Sequence, residues 1–395
     1  MSRKRVMIMQ ISTKSKNTIL MLKDKPVLEF NINENIYNIM APELMPYRMR
    51  HCLNEHATSV KDMVTNYNLM VDYLSSRILD LSRTNAKKIL NAYHYSQEQS
   101  PENKARIAIA CKTVSMNDSY WIKTFNSNER WSDVDPKHNS LSQIVANILL
   151  VGESLTLTGK IHNPEFTNKG AYPKCWIRED EPYLYKASTN GKIESEIEIS
   201  VSKILDCFNV NHATYLPATY QNNSEESLRL CKSKNIATDN LDMLTAEDFS
   251  IYCNRKQISF IPAVQKLDSD NFYKMCIVDY LISNSDRHNG NWGFYVDNNT
   301  GDIKGLHPLY DHNNAFDKTF MKDGGESLLF QGKTQEEVAK YAINRCVFEN
   351  IKPLDKAYFL NDEMYESFCK NAEKLNLRME KTASKYTFDL ADFGL

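Results

Sequence analysis

Paired cysteines and long apolar runs are both missing from this sequence. The nine cysteines are scattered and odd in number, and none is spaced as Cys-x-x-Cys. This pattern indicates reduced thiols and suggests neither a zinc ribbon nor a disulfide framework. No run of about 18 apolar residues occurs, and the N-terminal run MSRKRVMIMQIST is too short for a signal peptide. We therefore expect a cytoplasmic protein without a transmembrane segment, and secretion by a machinery that needs no cleavable signal stays open.

An excess of charge and a metal-binding histidine pattern are also missing. Lys and Arg number 48 against 50 Asp and Glu, which gives a formal net charge of −2. This balance predicts no strong attraction to nucleic acid or to an anionic membrane. The nine histidines show no HExxH or HxxxH spacing, so the sequence indicates no histidine-based metal motif.

The hydrophobic pattern divides the 395 residues into three parts. Residues 1–150 begin with alternating runs typical of a small β-hairpin or meander, and they continue with helical periodicity. Residues 151–233 combine strand-like runs with one helix, at about 194–208. Residues 234–395 are mainly helical, apart from two strand-like runs, WGFYV and IKGLHPLY, that flank the turn DNNTGD. The pattern predicts an α+β protein.

One polar loop, within ISNSDRHNGNWGFYVD at residues 282–297, lies between an apolar helix and an apolar strand. Asn291 begins the first strand of the predicted hairpin and Asp311 ends the second, so their side-chain oxygens are expected to converge. Two hard oxygen ligands, completed by phosphate oxygens and water, are what Mg²⁺ prefers. Asp286 lies at the other end of the loop, where it could accept the proton of an incoming hydroxyl.

This order of residues matches the phosphoryl-transfer template of protein kinases, which also needs a lysine on an earlier strand. Lys186, in the strand-like run EPYLYKAS, fits that position. The helix that follows offers Glu194, Glu196 and Glu198 as partners for the lysine, and we favour Glu198.

A turn in FTNKGAYPK precedes the strand lysine and is predicted to fold over phosphates. Its backbone N–H groups around Gly170, together with Lys169 or Lys174, would supply the donors. Thr167 and Asn168 belong to the same turn. The GxGxxG loop of protein kinases is absent, so only Gly170 stands in this loop.

Each of these features is common by chance when taken alone. A lone Asp-x-x-x-x-Asn pattern usually marks a solvated loop, and Asp311 could merely cap a turn. Their order along the chain is what favours a kinase: glycine turn, strand lysine, helix glutamate, Asp-loop-Asn, hairpin and Asp.

Four segments together resemble the HipA-like serine/threonine kinases of bacteria: KGAYPKCWI, YLYKAS, NSDRHNGNW and HPLYDHNNAF. The resemblance covers about residues 151–395, and ARIAIACKTVSMNDSYWIKTF resembles the N-terminal region of some single-chain members. It implies a two-lobed, protein-kinase-like fold with distant similarity to phosphoinositide 3-kinases. Residues 151–233 would form the small lobe and residues 234–395 the large lobe. Residues 1–150 would be an N-terminal β plus helical extension that recruits substrate or blocks the cleft.

The resemblance implies phosphorylation of protein Ser or Thr with ATP and Mg²⁺, including autophosphorylation. By position, Asp286 would be the catalytic base, Lys186 would hold phosphates, and Asn291 and Asp311 would bind the metal. Because a loop serine is autophosphorylated in HipA itself, Thr167 becomes a hypothetical autophosphorylation site here.

The resemblance also implies further nucleotide contacts. His288 lies in the catalytic loop, where family members contact nucleotide. The hinge that recognises adenine would be formed by Leu230, Cys231, Lys232 and Ser233.

Several functions stay open on the sequence alone. The chain could be the toxin of a toxin–antitoxin pair, which would phosphorylate a translation component and bind a small DNA-binding antitoxin. Since no helix-turn-helix is evident, DNA binding would need that partner. A lipid or small-molecule kinase on the same fold is an alternative, as is a nucleotide-binding pseudokinase that acts as an interaction module.

Overall fold

A computed structural model describes most of the chain, namely residues 17–157, 163–189, 192–221, 227–349, 351–377 and 381–382. The predicted strand in KRVMIMQIS and the last part of the predicted C-terminal helix lie outside these residues. None of the helices in the described ranges is both long and apolar enough to span a bilayer.

The N-terminal region, residues 17–157, combines an antiparallel sheet of order β3-β2-β1-β4 with several helices. Two of its helices begin at serine caps, since Ser59 and Ser100 accept hydrogen bonds from backbone N–H groups of the first helical turns. The strands are β1 (Thr18–Leu22), β2 (Lys25–Asn31), β3 (Ile36–Ile39) and β4 (Tyr120–Thr124). The helices are α1 (Val60–Ser76), α2 (Ala86–Ala92), α3 (Pro101–Ala110), α4 (Trp131–Val134) and α5 (Gln143–Ala146), and α5 continues into a π-helical turn, Asn147–Val151.

The small lobe, residues 163–234, is an antiparallel sheet of order β5-β6-β8-β7 with one long helix. The strand-like runs of the sequence form these strands, and the predicted helix connects β6 to β7. The elements are β5 (Lys174–Arg178), β6 (Pro182–Ala187), α6 (Glu194–Cys207), β7 (Tyr215–Gln221) and β8 (Ser227–Lys234).

The large lobe, residues 241–382, is mainly helical around a small antiparallel sheet of order β11-β10-β9. Its strands are β9 (Leu241–Thr245), β10 (Gly293–Asp297) and β11 (Ile303–Leu306), and β12 (Leu354–Asp355) pairs in parallel with β13 (Lys381–Thr382). Its helices are α7 (Ala246–Arg255), α8 (Phe260–Leu281), α9 (Lys318–Asp323), α10 (Gln335–Ala342) and α11 (Asp362–Lys374).

The predicted hairpin differs from the observed one at its second strand. β11 ends at Leu306, and HPLY does not continue the strand, because Pro308 has no N–H to offer a neighbouring strand. The prediction that Asp311 ends this strand is therefore wrong: Asp311 lies in the following loop with φ of +60°. The sequence analysis also missed β9, which pairs with β10 on the side away from β11.

The N-terminal region and the small-lobe sheet share one hydrophobic core. Leu20 and Met70 of the N-terminal region belong to the same buried cluster as Phe166, Tyr185 and Leu230 of the small lobe. Helix α6, by contrast, contributes to a second core with α8, α10 and α11 of the large lobe. The small lobe is thus packed between two larger bodies.

This shared core generates a stability prediction. Phe166 is fully buried and makes edge-to-face contacts with Tyr93 at 5.0 Å and Tyr95 at 5.3 Å between ring centroids. Phe166→Ala should lower the free energy of unfolding by about 3–5 kcal/mol, because it leaves a cavity in the core. Urea denaturation measures this loss. The control Phe125→Ala, at a side chain that is 54% exposed, should change stability by less than about 0.5 kcal/mol. Equal losses for the two variants would contradict the shared core.

Candidate active site

Lys186 lies at the centre of a buried polar cluster between the two lobes. It sits on β6, and its side chain is 7% exposed. Its Nζ donates to Oε1 of Glu198 at 2.5 Å, to Oδ1 of Asp311 at 2.9 Å and to the hydroxyl of Tyr215 at 3.2 Å. Strand β6, helix α6 and the loop that carries Asp311 therefore meet at the ammonium group of Lys186.

Of the three glutamates on α6, Glu198 is the one that reaches Lys186. Glu194 accepts instead from the backbone and hydroxyl of Thr189 near the start of the helix. The other carboxylate oxygen of Glu198 accepts the backbone N–H of His312 at 3.1 Å. Glu198 thus holds both the strand lysine and the loop that carries Asp311.

The charges in this cluster stabilise one another. Burial acts to lower the pKa of Lys186, but the carboxylates of Asp311 and Glu198 outweigh it and raise that pKa well above its usual range. Burial likewise acts to raise the pKa of Asp311, but the positive charges of Lys186 and Lys174 hold it far below the ordinary value. Both groups are therefore charged across the physiological pH range.

A second buried lysine lies beside the first. Lys174 on β5 is the direct cross-strand partner of Lys186, so both side chains emerge on the same face of the sheet. Lys174 is 7% exposed, and burial lowers its pKa to about 8. Within the described chain its Nζ makes no hydrogen bond or ion pair. Like charges directly opposite each other are destabilising, and only Lys186 has carboxylate partners, so the Lys174 ammonium could accept an anionic ligand.

Gly170 lies against this lysine in the turn that precedes β5. Its φ is +102°, a conformation that favours glycine. A Cβ atom at this position would clash with Nζ at the flexible end of the Lys174 side chain. The absence of a side chain therefore allows the turn to approach the lysine closely.

The loop that carries Asp286 is held by a buried ion pair. Arg287 donates from Nε to Oδ2 of Asp279 at 2.9 Å and from Nη2 to Oδ1 at 3.0 Å. Asn284 donates to the same carboxylate at 2.8 Å and accepts the backbone N–H of Asp286 at 3.3 Å. The sequence analysis missed this support, although a lone carboxylate in the apolar helix segment CIVDYLI was a signal for it.

Arg287 also brings the two predicted metal ligands together. Its Nη1 donates to the carbonyl of Asn291 at 2.7 Å and to that of Tyr310 at 2.8 Å. Since Tyr310 directly precedes Asp311, one guanidinium fixes the backbone at both ligand positions. Arg287 therefore brings the backbone at Asn291 close to the backbone just before Asp311, and convergence of the two side-chain oxygens stays a prediction.

The donor set at these positions fits Mg²⁺. The side-chain nitrogen of Asn291 donates to the carbonyl of Asp286 at 2.9 Å, which leaves its carboxamide oxygen without a hydrogen bond in the described chain. Asp311 uses Oδ1 for Lys186 and keeps Oδ2 open. No cluster of three or more His, Cys, Asp or Glu suited to a metal occurs among the described residues. The site offers one amide and one carboxylate oxygen, and phosphate and water would complete the coordination.

Asp286 is linked to the turn before β5 through two residues that the sequence analysis missed. Its Oδ2 accepts from Nδ2 of Asn314 at 3.0 Å, and Oδ1 of Asn314 accepts from the Tyr172 hydroxyl at 3.1 Å. Burial raises the pKa of Tyr172, so its hydroxyl keeps its proton. Asp286 itself is 40% exposed and open to an incoming group.

Three other predicted residues of the turn face different surroundings. The Thr167 hydroxyl donates to the carbonyl of Val114 in the N-terminal region at 3.1 Å. Asn168 is buried and donates to Glu165 at 3.0 Å, whereas Lys169 is exposed. The structure therefore does not bring Thr167 or Asn168 into the Lys186 cluster.

The predicted hinge residues lie inside a central strand. Leu230 to Ser233 pair with β6 on one side and with β7 on the other, so their backbone groups are used within the sheet. The predicted hinge position is therefore wrong, and residues 235–240, which join β8 to β9, connect the lobes.

His288 lies in the Asp286 loop with a half-exposed side chain, and its Nδ1 accepts the N–H of Gly290 at 3.0 Å.

Comparisons with known proteins show which solved structures have a similar architecture. No family model and no curated protein matches the sequence. Among solved structures, HipA of the Shewanella oneidensis MR-1 toxin–antitoxin system, determined with HipB and operator DNA, aligns over 91% of this chain and 95% of its own. The TM-score is 0.50 and the identity 10%. The proinflammatory kinase CtkA of Helicobacter pylori aligns over 54% of this chain and 93% of its own, with a TM-score of 0.42 and 16% identity. The likeness to HipA confirms the predicted two-lobed, HipA-like kinase fold.

The contribution of the Asp279–Arg287 ion pair can be tested by measuring the free energy of unfolding. Asp279→Asn should lower the free energy of unfolding by about 3–5 kcal/mol, because it leaves the Arg287 guanidinium buried without its counter-charge. Asp80→Asn is the matched control, since its partner is Lys104 and its side chain is 62% exposed; it should cost less than about 1 kcal/mol. Chemical denaturation compares the two. A small, equal cost for both would show that Arg287 does not depend on Asp279.

Proposed function

We propose that this protein is a HipA-like kinase that transfers the γ-phosphoryl group of ATP to Ser or Thr of protein substrates and also to itself. The observation that carries the proposal is the pair of buried lysines, Lys174 and Lys186, on one face of the small-lobe sheet. Lys186 already has two carboxylate partners, Glu198 and Asp311, whereas the buried ammonium of Lys174 has no hydrogen bond or ion pair in the described chain. A buried charge without such a partner calls for an anion, and the phosphates of a nucleotide would supply it.

The residues around these lysines suit the steps of phosphoryl transfer. Lys186 and Lys174 would hold the phosphates, with the backbone of Gly170 close by. Asn291 and Asp311 would hold Mg²⁺, which would neutralise the charge of the phosphate oxygens when bound. Asp286 would accept the proton of the attacking hydroxyl, and Asn314 would keep its carboxylate oriented. Most of the rate would come from positioning and electrostatics.

The partners of this activity are also part of the proposal. The HipA structure that shares this fold was determined with HipB and operator DNA. We carry the expectation of a small DNA-binding antitoxin to this chain, with a translation component as substrate. The alternatives are a lipid or small-molecule kinase and a nucleotide-binding pseudokinase, and the following experiment separates them.

Phosphoryl transfer should depend on Asp286. Wild-type protein incubated with ATP and Mg²⁺ should gain mass in steps of one phosphate and should label proteins in a lysate. Asp286→Asn should slow both by roughly 100- to 10,000-fold while ATP binding persists, because only the general base is removed. Asp302→Asn, at an exposed aspartate of the β10–β11 turn, should behave as wild type.

Three outcomes would contradict the protein-kinase proposal. Labelling that is equally fast in Asp286→Asn would exclude Asp286 as the base. ATP binding without transfer to any protein, lipid or small molecule would favour the pseudokinase. Transfer only to lipids or small molecules would favour the first alternative.

The affinity for ATP should fall as the pH rises through about 8. The pKa of Lys174 is lowered to about 8 by burial, so the free protein loses this positive charge above that pH, whereas bound phosphate would favour the charged form. Lys186 keeps its charge there, since its pKa is raised. The neighbouring Cys231 thiol stays neutral because burial raises its pKa.

Titration of ATP binding between about pH 7 and about pH 9.5 checks this dependence. Lys174→Met keeps a similar side-chain volume and removes the titrating group, so it should bind ATP more weakly with a flat profile over that range. A wild-type affinity that does not change with pH, or a variant that keeps the full dependence, would contradict the assignment of Lys174.

A further inference from the structure

The N-terminal region holds the turn that precedes β5 and contains Gly170. The segment between α1 and α2 runs alongside this turn, with Leu79 N–H donating to the carbonyl of Phe166 at 2.7 Å. At the other end of the segment, the backbone N–H of Thr84 donates to the carbonyl of Ala171 at 2.8 Å. The contacts begin before and end after Asn168, so they span most of the turn.

Arg83 makes the central contacts of this interface. It is 3% exposed, and both of its terminal nitrogens are bound twice. Nη1 donates to the carbonyls of Glu165 at 2.9 Å and Asn168 at 2.8 Å. Nη2 donates to Oε2 of Glu165 at 2.9 Å and to the carbonyl of Lys174 at 2.6 Å. One guanidinium thus fixes the start, the middle and the end of the turn.

The carboxylate partner of Arg83 extends this hold to β5. Oε1 of Glu165 accepts the backbone N–H of Trp176 at 2.6 Å, and Oε2 also accepts from Asn168. Arginine and glutamate therefore form a closed network around the turn. A planar guanidinium can satisfy these acceptors at fixed angles, whereas a lysine ammonium is a point charge with three donors.

The atoms held in this way determine where the phosphate-binding groups lie. The carbonyl that Arg83 fixes at Lys174 belongs to the residue whose ammonium faces Gly170. A shift of the turn would move both the Gly170 amide and the ammonium of Lys174. We propose that Arg83 is a positioning residue for phosphate binding, which makes the N-terminal region an integral part of the nucleotide site. This inference rests on the proposed kinase function.

The test compares two arginines of the N-terminal region, Arg83 and Arg77, each of which pairs with a carboxylate. Arg83→Lys keeps the charge and removes the fork of donors. Arg77→Lys is the matched control, because Arg77 pairs with Asp118 at 2.8 Å and binds the carbonyl of Thr113 at 2.7 Å without contacting the turn. Both variants are tested as full-length protein for binding of ATP with Mg²⁺, for binding of adenosine, and for hydrogen exchange of the backbone amides at residues 163–174.

Arg83→Lys should weaken ATP binding by about tenfold or more, because misplaced phosphate contacts lose most of their benefit. Its affinity for adenosine, which carries no phosphate, should not change, and exchange at residues 163–174 should accelerate. Arg77→Lys should keep wild-type values in all three measurements. Glu165→Gln removes the charge from the other side of the network and should reproduce the Arg83→Lys pattern, which provides a second test if Arg83→Lys does not fold.

Three results would overturn the inference. Unchanged ATP affinity in a folded Arg83→Lys variant would show that the turn does not need its guanidinium. Equal loss of ATP and adenosine binding would show a merely structural role. Faster exchange in Arg83→Lys, with a wild-type protein that binds neither compound, would instead refute the proposed function and with it the role of Arg83 in phosphate binding.

Discussion

The ammonium group of Lys186 joins three segments that are far apart in the sequence. Glu198 lies 12 residues away on α6, and Asp311 lies 125 residues away beyond β11. A charge this deeply buried is tolerated only with close partners, and removing one partner leaves the others uncompensated. The rotation of α6 and the position of the Asp311 loop therefore depend on the same atom.

The Asp286 loop is held by a different ion pair, the one between Arg287 and Asp279. Arg287 is neutralised by Asp279 and does not compete for Asp311. The Lys186 cluster keeps Asp311 in place, and Arg287 holds the backbone immediately before it. The cleft thus has two buried networks that meet at the residues expected to face metal and phosphate.

Much of the fold could be predicted from the sequence because its signals are local. Strand-like runs, helical periodicity and serine caps depend on neighbours within a few residues, and they predicted most strands and helices. The order of strand and helix also placed the partner of Lys186 among three glutamates of α6, and Glu198, which we favoured, is the one that contacts it. The placement of Asp311 beyond β11 did not follow from the sequence, since Pro308 interrupts the strand that its pattern suggested.

The contacts that the sequence analysis missed join residues far apart along the chain. Arg83 reaches Lys174 across 91 residues and Tyr172 reaches Asn314 across 142. Neither pair has a periodic pattern or a motif, and only the packed structure brings the partners together. The hinge error has a different cause: the position of LCKS was carried over from the resemblance to HipA-like kinases, whereas strand partners on both sides place it inside the sheet.

The core shared by the N-terminal region and the small lobe has a consequence for synthesis on the ribosome. Residues such as Leu20 and Met70 emerge early, but the buried cluster that contains them also includes Tyr185 and Leu230. Part of the apolar surface of this cluster therefore stays uncovered until the chain has grown by more than a hundred residues. Contacts at such sequence separation are formed slowly. This half of the molecule therefore completes its fold late, at a stage when a chaperone has apolar surface to bind.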